Sequence, residues 1–165
     1  KFRVAAASTA KLDVLFALLE RHRQEPTLVI GTYLEQLEAA AQLTGAPQIT
    51  GKTPARERER LCGLFRAGQL NLLLLSSVGN YSLDLPEASV LIQVSGMFGS
   101  RQEEAQRLGR ALRPKQDGRA AAFYTIVTEG TVETDFAMNR QRFLTEQGYR
   151  YSIVDAAKVL GGGAT

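Results

Sequence analysis

Short apolar runs alternate with amphipathic helical patterns along the 165-residue chain, and this alternation limits the possible folds more than any other feature. The apolar runs that we predict to be strands are residues 27–30, 48–50, 72–75, 89–94 and 120–127. Strands that alternate with helices form βαβ units, whose strands run parallel and whose helices cover both faces of the sheet. We therefore predict an α/β fold with three layers and a mostly parallel central sheet.

The intervening segments carry recognisable helix signals. Apolar residues at helical spacing predict a helix over Lys11–Arg23. Thr32 with Glu35 three residues later is a capping-box pattern, which predicts a helix that runs to about residue 43. Thr53, followed by a proline, predicts the start of a third helix through residue 65. The pattern from Thr131 to Gln147 predicts a long last helix.

Composition indicates one globular domain, which we place at residues 1–160, with a flexible glycine-rich tail at 161–165. The net charge of +3 is compatible with binding to nucleic acid. Cys62 has no second cysteine to pair with and is predicted to be a small buried residue, while His22 has no neighbouring ligand, so we predict no metal site. No apolar run reaches membrane-spanning length, so we expect no membrane partner. Because the first residue is not methionine, we expect a piece of a longer protein.

The segment from Gln106 to Arg113 carries the strongest chemical signal. Gln106, Arg110 and Arg113 are spaced i, i+4 and i+7 and would share one helix face, with Leu108 and Leu112 roughly opposite. Arginine presents a planar fork of donors that stays charged, which suits it to binding phosphate oxygens. The alternative is an amphipathic surface helix with solvated arginines.

The sequence Gly51-Lys52-Thr53 resembles part of a P-loop, but a P-loop needs glycine where this chain has Ala46. We therefore reject a triphosphate cradle there. Two interpretations remain open for Lys52 and Thr53. They contact a nucleic-acid phosphate from a helix N-terminus, or they form a plain surface turn.

The segment from Ser76 to Pro86 follows a predicted buried strand and is rich in small polar residues, including Ser82 and Asp84. Such a loop can offer hydroxyl and amide donors to a phosphate or a sugar. An ordinary strand-to-helix loop, with Asp84 bonded to local backbone, is the alternative.

Several of these motifs together resemble one family. The matching segments are Val78-Gly79, Ser82 with Asp84 to Ala88, Val90 to Gln93, Gly99 to Arg101, Glu104 to Arg110, Arg140 to Leu144 and Gln147 to Tyr149. They resemble the second RecA-like domain of superfamily 2 helicases, and within these the XPB type of DNA-repair helicase. The resemblance covers nearly the whole chain and is strongest from Ser76 to Tyr149.

The resemblance implies roles for individual residues. Arg110 and Arg113 would be catalytic arginine fingers. Residues of the matching motifs that would bind nucleotide are Gln106, Gly79, Asp84 and Arg107. The resemblance places Thr32, Ser76 and Ser82 near DNA, where Lys52 and Thr53 join them as candidates from the turn described above.

We therefore expect the carboxyl-terminal motor domain of an ATP-dependent 3′-to-5′ DNA helicase. The resemblance implies ATP with Mg²⁺, whose ligands would lie on a first RecA-like domain that this chain lacks, so the isolated chain should be inactive. The expected partners are DNA, that N-terminal domain, and a repair nuclease or a transcription and repair complex. The expected location is the cytoplasm, with the nucleoid, in a prokaryote and the nucleus in a eukaryote.

Three alternatives remain. A double-stranded DNA translocase would use the same motifs without separating strands. A nucleic-acid-binding module could have kept the fold and lost ATPase activity, although the intact Arg110 and Arg113 argue against it. A small-molecule enzyme of doubly wound fold would need a catalytic pair or a glycine-rich cofactor turn, and neither is evident.

Overall fold

A five-stranded parallel sheet organises the part of the chain that the computed structural model describes, which is residues 9–76, 88–94, 122–127, 138, 142 and 156–161. The strands, in chain order, are β1 (Thr27–Gly31), β2 (Gln48–Ile49), β3 (Leu72–Ser76), β4 (Val90–Gln93) and β5 (Ala122–Thr125). Their order across the sheet is β2-β3-β1-β4-β5, and every neighbouring pair is parallel. The predicted mostly parallel sheet is confirmed.

Four helices are described, and we label them α1 (Thr9–Arg21), α2 (Leu34–Thr44), α3 (Ala55–Arg66) and α4 (Ala156–Leu160). Side chains of α1 and α2 pack with Val29 on one face of the sheet. Side chains of α3 pack with Leu28 and Ile30 on the other face. The successive residues of β1 thus point to opposite helix layers, as the pleat of a strand requires. The three-layer prediction is confirmed.

The buried strands consist almost entirely of branched apolar residues because both of their faces are covered. Leu73 and Leu75 lie in the core with α3, and Leu74 lies in the core with α1 and α2, all three with no exposed surface. Cys62 is also buried, on the sheet-facing side of α3, as predicted. Core packing therefore fixes the sheet firmly enough to position the loops at its ends.

Two helices begin one residue later than the capping patterns predict. Tyr33 precedes the first turn of α2 and Pro54 precedes that of α3, and neither makes a side-chain capping hydrogen bond. The hydroxyl of Thr53 instead accepts the N–H of Thr50 (2.9 Å), so this threonine closes the preceding turn. At its other end α2 terminates at Gly45, whose left-handed backbone (φ 74°) suits glycine.

Other element boundaries differ slightly from prediction. Strand β2 ends at Ile49 and β5 ends at Thr125, so each is shorter than its apolar run, because parallel pairing stops there. The predicted helix around Gln106 lies outside the described residues. Met138 and Arg142, the described positions within 131–147, are both helical. Within the described ranges, the helices are too short or too polar to cross a bilayer.

Candidate nucleotide and DNA interface

The carboxyl edge of the sheet brings three of the predicted polar segments side by side. Strand β3 lies between β2 and β1. Gly31, the last residue of β1, is in register with Ser76, the last residue of β3, and Ile49 of β2 is in register with Leu75. The segments that begin at Thr32, Thr50 and Ser76 therefore leave adjacent strands at one edge. Ligands of parallel sheets bind at this edge.

The segment after β2 forms a compact turn. The N–H of Thr53 donates to the Thr50 carbonyl (3.1 Å), and the N–H of Lys52 donates to the Thr50 hydroxyl (3.2 Å). The Thr53 hydroxyl accepts the Thr50 N–H, so it is already used within the turn. Lys52 is exposed at the tip, and its ammonium is available to a negatively charged ligand.

Thr32 and Ser76 differ in accessibility. Thr32 is half-buried directly beyond β1. Ser76 is only 2% exposed, and it follows Leu74 and Leu72 on the side of β3 that faces α1 and α2. The sheet edge thus offers a solvent-facing lysine, a half-buried threonine and a serine set into the interior.

Helix N-termini add positive potential to the same edge. α2 begins directly after β1, and α3 begins after the turn that follows β2. α1 also has its N-terminal end here, because Lys11 in its first turn reaches the backbone of Val94, directly after β4. The unpaired N–H groups and the positive dipole ends of helices favour anions such as phosphate.

Charges on the neighbouring surface of α3 are partly neutralised within the helix. The guanidinium of Arg60 donates to the carboxylate of Glu57, with 2.9 Å between Nε and Oε2. This hydrogen bond, together with the positive charge of Arg60, holds the pKa of Glu57 below its ordinary value. Arg60 is thus less available to an external phosphate than Lys52 is.

The remaining predicted site residues lie outside the described part of the chain. They are Gly79, Ser82, Asp84, Gln106, Arg107, Arg110 and Arg113. Their roles stay predictions. The chain leaves β3 at Ser76 and leaves β4 after Gln93, so the segments that hold them start from the carboxyl edge.

Sequence reasoning missed three buried polar side chains near this edge. Lys11 is 2% exposed, Gln36 in the first turn of α2 is 5% exposed, and Gln93 at the end of β4 is 3% exposed. The amide groups of both glutamines have no hydrogen-bond partner within the described ranges. The sequence did contain a signal that Lys11 is buried. Leu15 and Leu18 follow it at i+4 and i+7, which puts it on the apolar stripe of α1.

Comparison with known proteins gives concordant results. The profile of the family described as ERCC3/RAD25/XPB C-terminal helicase matches residues 6–161. The protein named DNA 3'-5' helicase XPB of Kineococcus radiotolerans is 54% identical over 162 residues, covering 98% of this chain and 29% of that protein. Its Mycobacterium tuberculosis counterpart of the same name is 51% identical over 161 residues, with the same two coverages.

A solved structure supports the fold. The S. cerevisiae protein Dbp5, bound to RNA and ADP BeF3, matches with a TM-score of 0.72 at 17% identity over 90% of this chain and 39% of that chain. The parallel sheet, its two helix layers and this likeness define a RecA-like α/β fold.

The sequence matches identify a smaller group of proteins than the fold does. The chain belongs to the ERCC3/RAD25/XPB C-terminal helicase family. It spans 29% of the length of the two curated relatives.

Proposed function

We propose that this chain is the second motor domain of an ATP-dependent 3′-to-5′ DNA helicase of the XPB type. The observation that carries the proposal is the family match across residues 6–161, since it includes the arginine motif at residues 106–113. The chain spans less than a third of its relatives' length, so the activity belongs to the longer protein. ATP would bind in a cleft between this domain and an N-terminal RecA-like domain.

Arg110 and Arg113 would supply positive charge to the phosphates of that ATP. Phosphoryl transfer depends mainly on positioning and on stabilising charge, and an arginine from a second domain contributes to both. Gln106, Arg107, Gly79 and Asp84 would bind other parts of the nucleotide. Because the arginines reach the phosphates only when the domains approach each other, hydrolysis would be coupled to domain movement.

Mg²⁺ would be held elsewhere in the longer protein. No group of three or more acidic, histidine or cysteine side chains within the described ranges is arranged to hold a metal ion. On the family resemblance we assign the Mg²⁺ ligands to the N-terminal domain, and no catalytic step of the described residues passes through the metal.

DNA would lie along the carboxyl edge of β2, β3 and β1. Lys52, at the exposed tip of its turn, would contact a phosphate, and the helix N-termini nearby would favour the same negative charge. Thr32 and Ser82 would line the path of the strand, Thr53 would shape the turn that presents Lys52, and Ser76 would lie buried behind this edge. Contacts of this kind follow the backbone without reading bases, as a motor that moves along DNA requires.

A strand-separation assay on the full-length protein tests this function. We expect ATP-dependent unwinding of a duplex with a 3′ single-stranded tail and none of a duplex with a 5′ tail. Unwinding of the 5′-tailed duplex alone would contradict the polarity. If duplex DNA stimulates ATP hydrolysis but neither substrate is unwound, the protein is a double-stranded DNA translocase and not a helicase.

A further inference from the structure

Arg56 is a second exposed cation at the edge of the sheet where Lys52 lies. It belongs to the first turn of α3, the helix that follows the turn carrying Lys52. Because β2 and β3 are parallel, α3 leads from the carboxyl end of β2 back to the start of β3. The first turn of α3 therefore lies at the carboxyl edge, and Arg56 adds a positive charge there.

The charge of Arg56 is not neutralised by a bonded partner. Within the described residues, its guanidinium forms no ion pair and no hydrogen bond. Arg60, one turn further along α3, differs in this respect, because its guanidinium donates to both carboxylate oxygens of Glu57. Glu59 lies three residues after Arg56, yet no ion pair joins the two. Arg56 is thus available to an external anion in the way that Lys52 is.

The stability of α3 does not explain an arginine at this position. The first turn of a helix is the positive end of its dipole, where a further positive charge is unfavourable. Arg60 follows four residues later, and like charges at this spacing on a helix repel each other. An alanine or an acidic residue would suit the isolated helix better than Arg56 does. A ligand that brings negative charge to the edge would offset both effects.

We propose that Arg56 binds a phosphate of the same DNA strand that Lys52 contacts, so that the path of the DNA continues from the turn onto α3. This inference rests on the proposed path of DNA along the carboxyl edge and adds a residue of α3 to it. Arginine suits the role because its planar fork stays charged and can bind two oxygens of one phosphate. A repeating phosphate backbone is favoured over an acidic protein segment, because Lys52, Arg56 and the N-terminus of α2 follow one another along the edge.

The first test is Arg56→Ala in the full-length protein, with labelled oligothymidylate as the probe. We expect binding to weaken roughly three- to tenfold at low salt, and the slope of log K against log salt to become shallower by about 0.7, because one phosphate contact is lost. Arg56→Lys should restore most of the slope, since it keeps the charge, but less of the affinity. The matched control is Arg23→Ala. Arg23 is an exposed arginine that pairs with Glu20 just before the amino end of β1, so its loss should change neither quantity.

ATP hydrolysis and thermal unfolding separate a DNA contact from a structural role. Arg56→Ala should raise the DNA concentration that gives half-maximal stimulation of hydrolysis by the same roughly three- to tenfold, and leave kcat at saturating DNA within about twofold of the wild type. Its melting temperature should not fall, because the change removes repulsion from the helix dipole and from Arg60. A lower melting temperature with an unchanged salt slope would assign Arg56 a structural role and overturn the inference.

Lys52→Ala, measured in the same way, separates this inference from the proposed function. If Lys52→Ala makes the salt slope shallower and Arg56→Ala does not, the DNA path stands and the contact from α3 is overturned. If neither variant changes the slope, the proposed DNA path fails and this inference fails with it. Weaker binding of Arg56→Ala to polyglutamate, with DNA binding unchanged, would identify an acidic protein as the ligand and would also overturn the inference.

Discussion

At the scale of single residues, His22 shows how one polar side chain connects distant parts of the fold. Its Nε2 is 2.8 Å from the hydroxyl oxygen of Tyr124 in β5, and its Nδ1 is 2.9 Å from a carboxylate oxygen of Glu25. The His22 and Tyr124 rings are also in tilted contact, with 5.4 Å between their centroids. This cluster fastens the end of α1 to β5, beside the apolar contacts of the core.

Tyr124→Phe should therefore destabilise the chain. The change removes a partly buried hydrogen bond and keeps the ring, so we expect a loss of about 1 kcal/mol in the free energy of unfolding. Tyr33→Phe is the matched control, since no hydrogen bond of the Tyr33 hydroxyl occurs within the described residues. Urea denaturation of both variants measures the difference. Equal stability of the two variants would show that the Tyr124 hydrogen bond contributes nothing net.

The buried thiol of Cys62 should make the free energy of unfolding depend on pH. Burial raises the pKa of its thiol above the ordinary value, and the nearby Arg66 opposes this only in part. The unfolded chain, with a thiol pKa of about 8.5, then loses its proton at lower pH than the folded chain does. The thiol's contribution is intact below the unfolded pKa and is lost as the pH rises toward the folded pKa.

We therefore expect the free energy of unfolding of the wild type to fall relative to Cys62→Ala as the pH rises from 8 to 10. Comparing the two proteins cancels the titration of lysines and tyrosines common to both. A difference that stays constant across this range would contradict the raised pKa.

At the scale of secondary structure, α1 illustrates what the sequence could and could not predict. Its apolar spacing predicts the helix and its buried face, because helix periodicity and burial follow from local sequence. The bond from Lys11 to Val94 depends on two segments that are far apart in the chain, so local patterns cannot predict it. Strand order has the same limitation, since β1 separates β3 from β4 although these two follow each other in the described chain.

The turn before α3 shows a second kind of limit. Thr53 and Pro54 predict a helix start to within one residue, yet the role of the threonine differs. A threonine hydroxyl can cap a helix or close a turn with similar local bonds, so residue type alone does not decide between them. Residue type is equally insufficient for the candidate site. The sequence predicts which loops meet at the carboxyl edge but not that Ser76 is buried there.

Packing of α1 on the sheet predicts a large effect of core truncation. Leu18→Ala removes a side chain that is 2% exposed in contact with the sheet, and we expect it to lower the free energy of unfolding by about 2–5 kcal/mol. Leu43→Ala in α2 is the matched control, because that leucine is 68% exposed, and it should cost about 0.5 kcal/mol or less. Similar losses from both changes would contradict the assigned buried face.

At the scale of the whole molecule, the chain corresponds to only part of the length of its relatives. The two curated relatives are more than three times its length. Its carboxyl edge combines an exposed lysine with the N-termini of α1, α2 and α3, and this arrangement favours a phosphate backbone over any particular base sequence. We therefore expect the isolated chain to bind DNA weakly and to lack ATPase activity.

Salt dependence of that binding isolates the contribution of Lys52. Lys52→Ala should weaken binding to single-stranded DNA equally for unrelated sequences and reduce the slope of log K against log salt by about 0.7. Lys158→Ala, on exposed α4, should change neither quantity. Fluorescence anisotropy over a salt series measures both. A preference for one sequence that persists at high salt would indicate a regulator of specific sites.

We propose that Arg110 and Arg113 act on ATP bound to the longer protein, and DNA-stimulated ATP hydrolysis by that protein measures this role. Arginine fingers in GTPases contribute about 10³–10⁵ in rate, and we expect a smaller but still large loss for Arg110→Ala and for Arg113→Ala. Lysine at either position should restore little, because a point charge does not reproduce the planar fork.

Arg119→Ala, outside the motif, serves as the control and should hydrolyse ATP at close to the wild-type rate. We expect both motif variants to be folded and to have lost most of their turnover, while the control stays active. Near-normal turnover in both motif variants would contradict this role and would make these arginines ordinary surface residues.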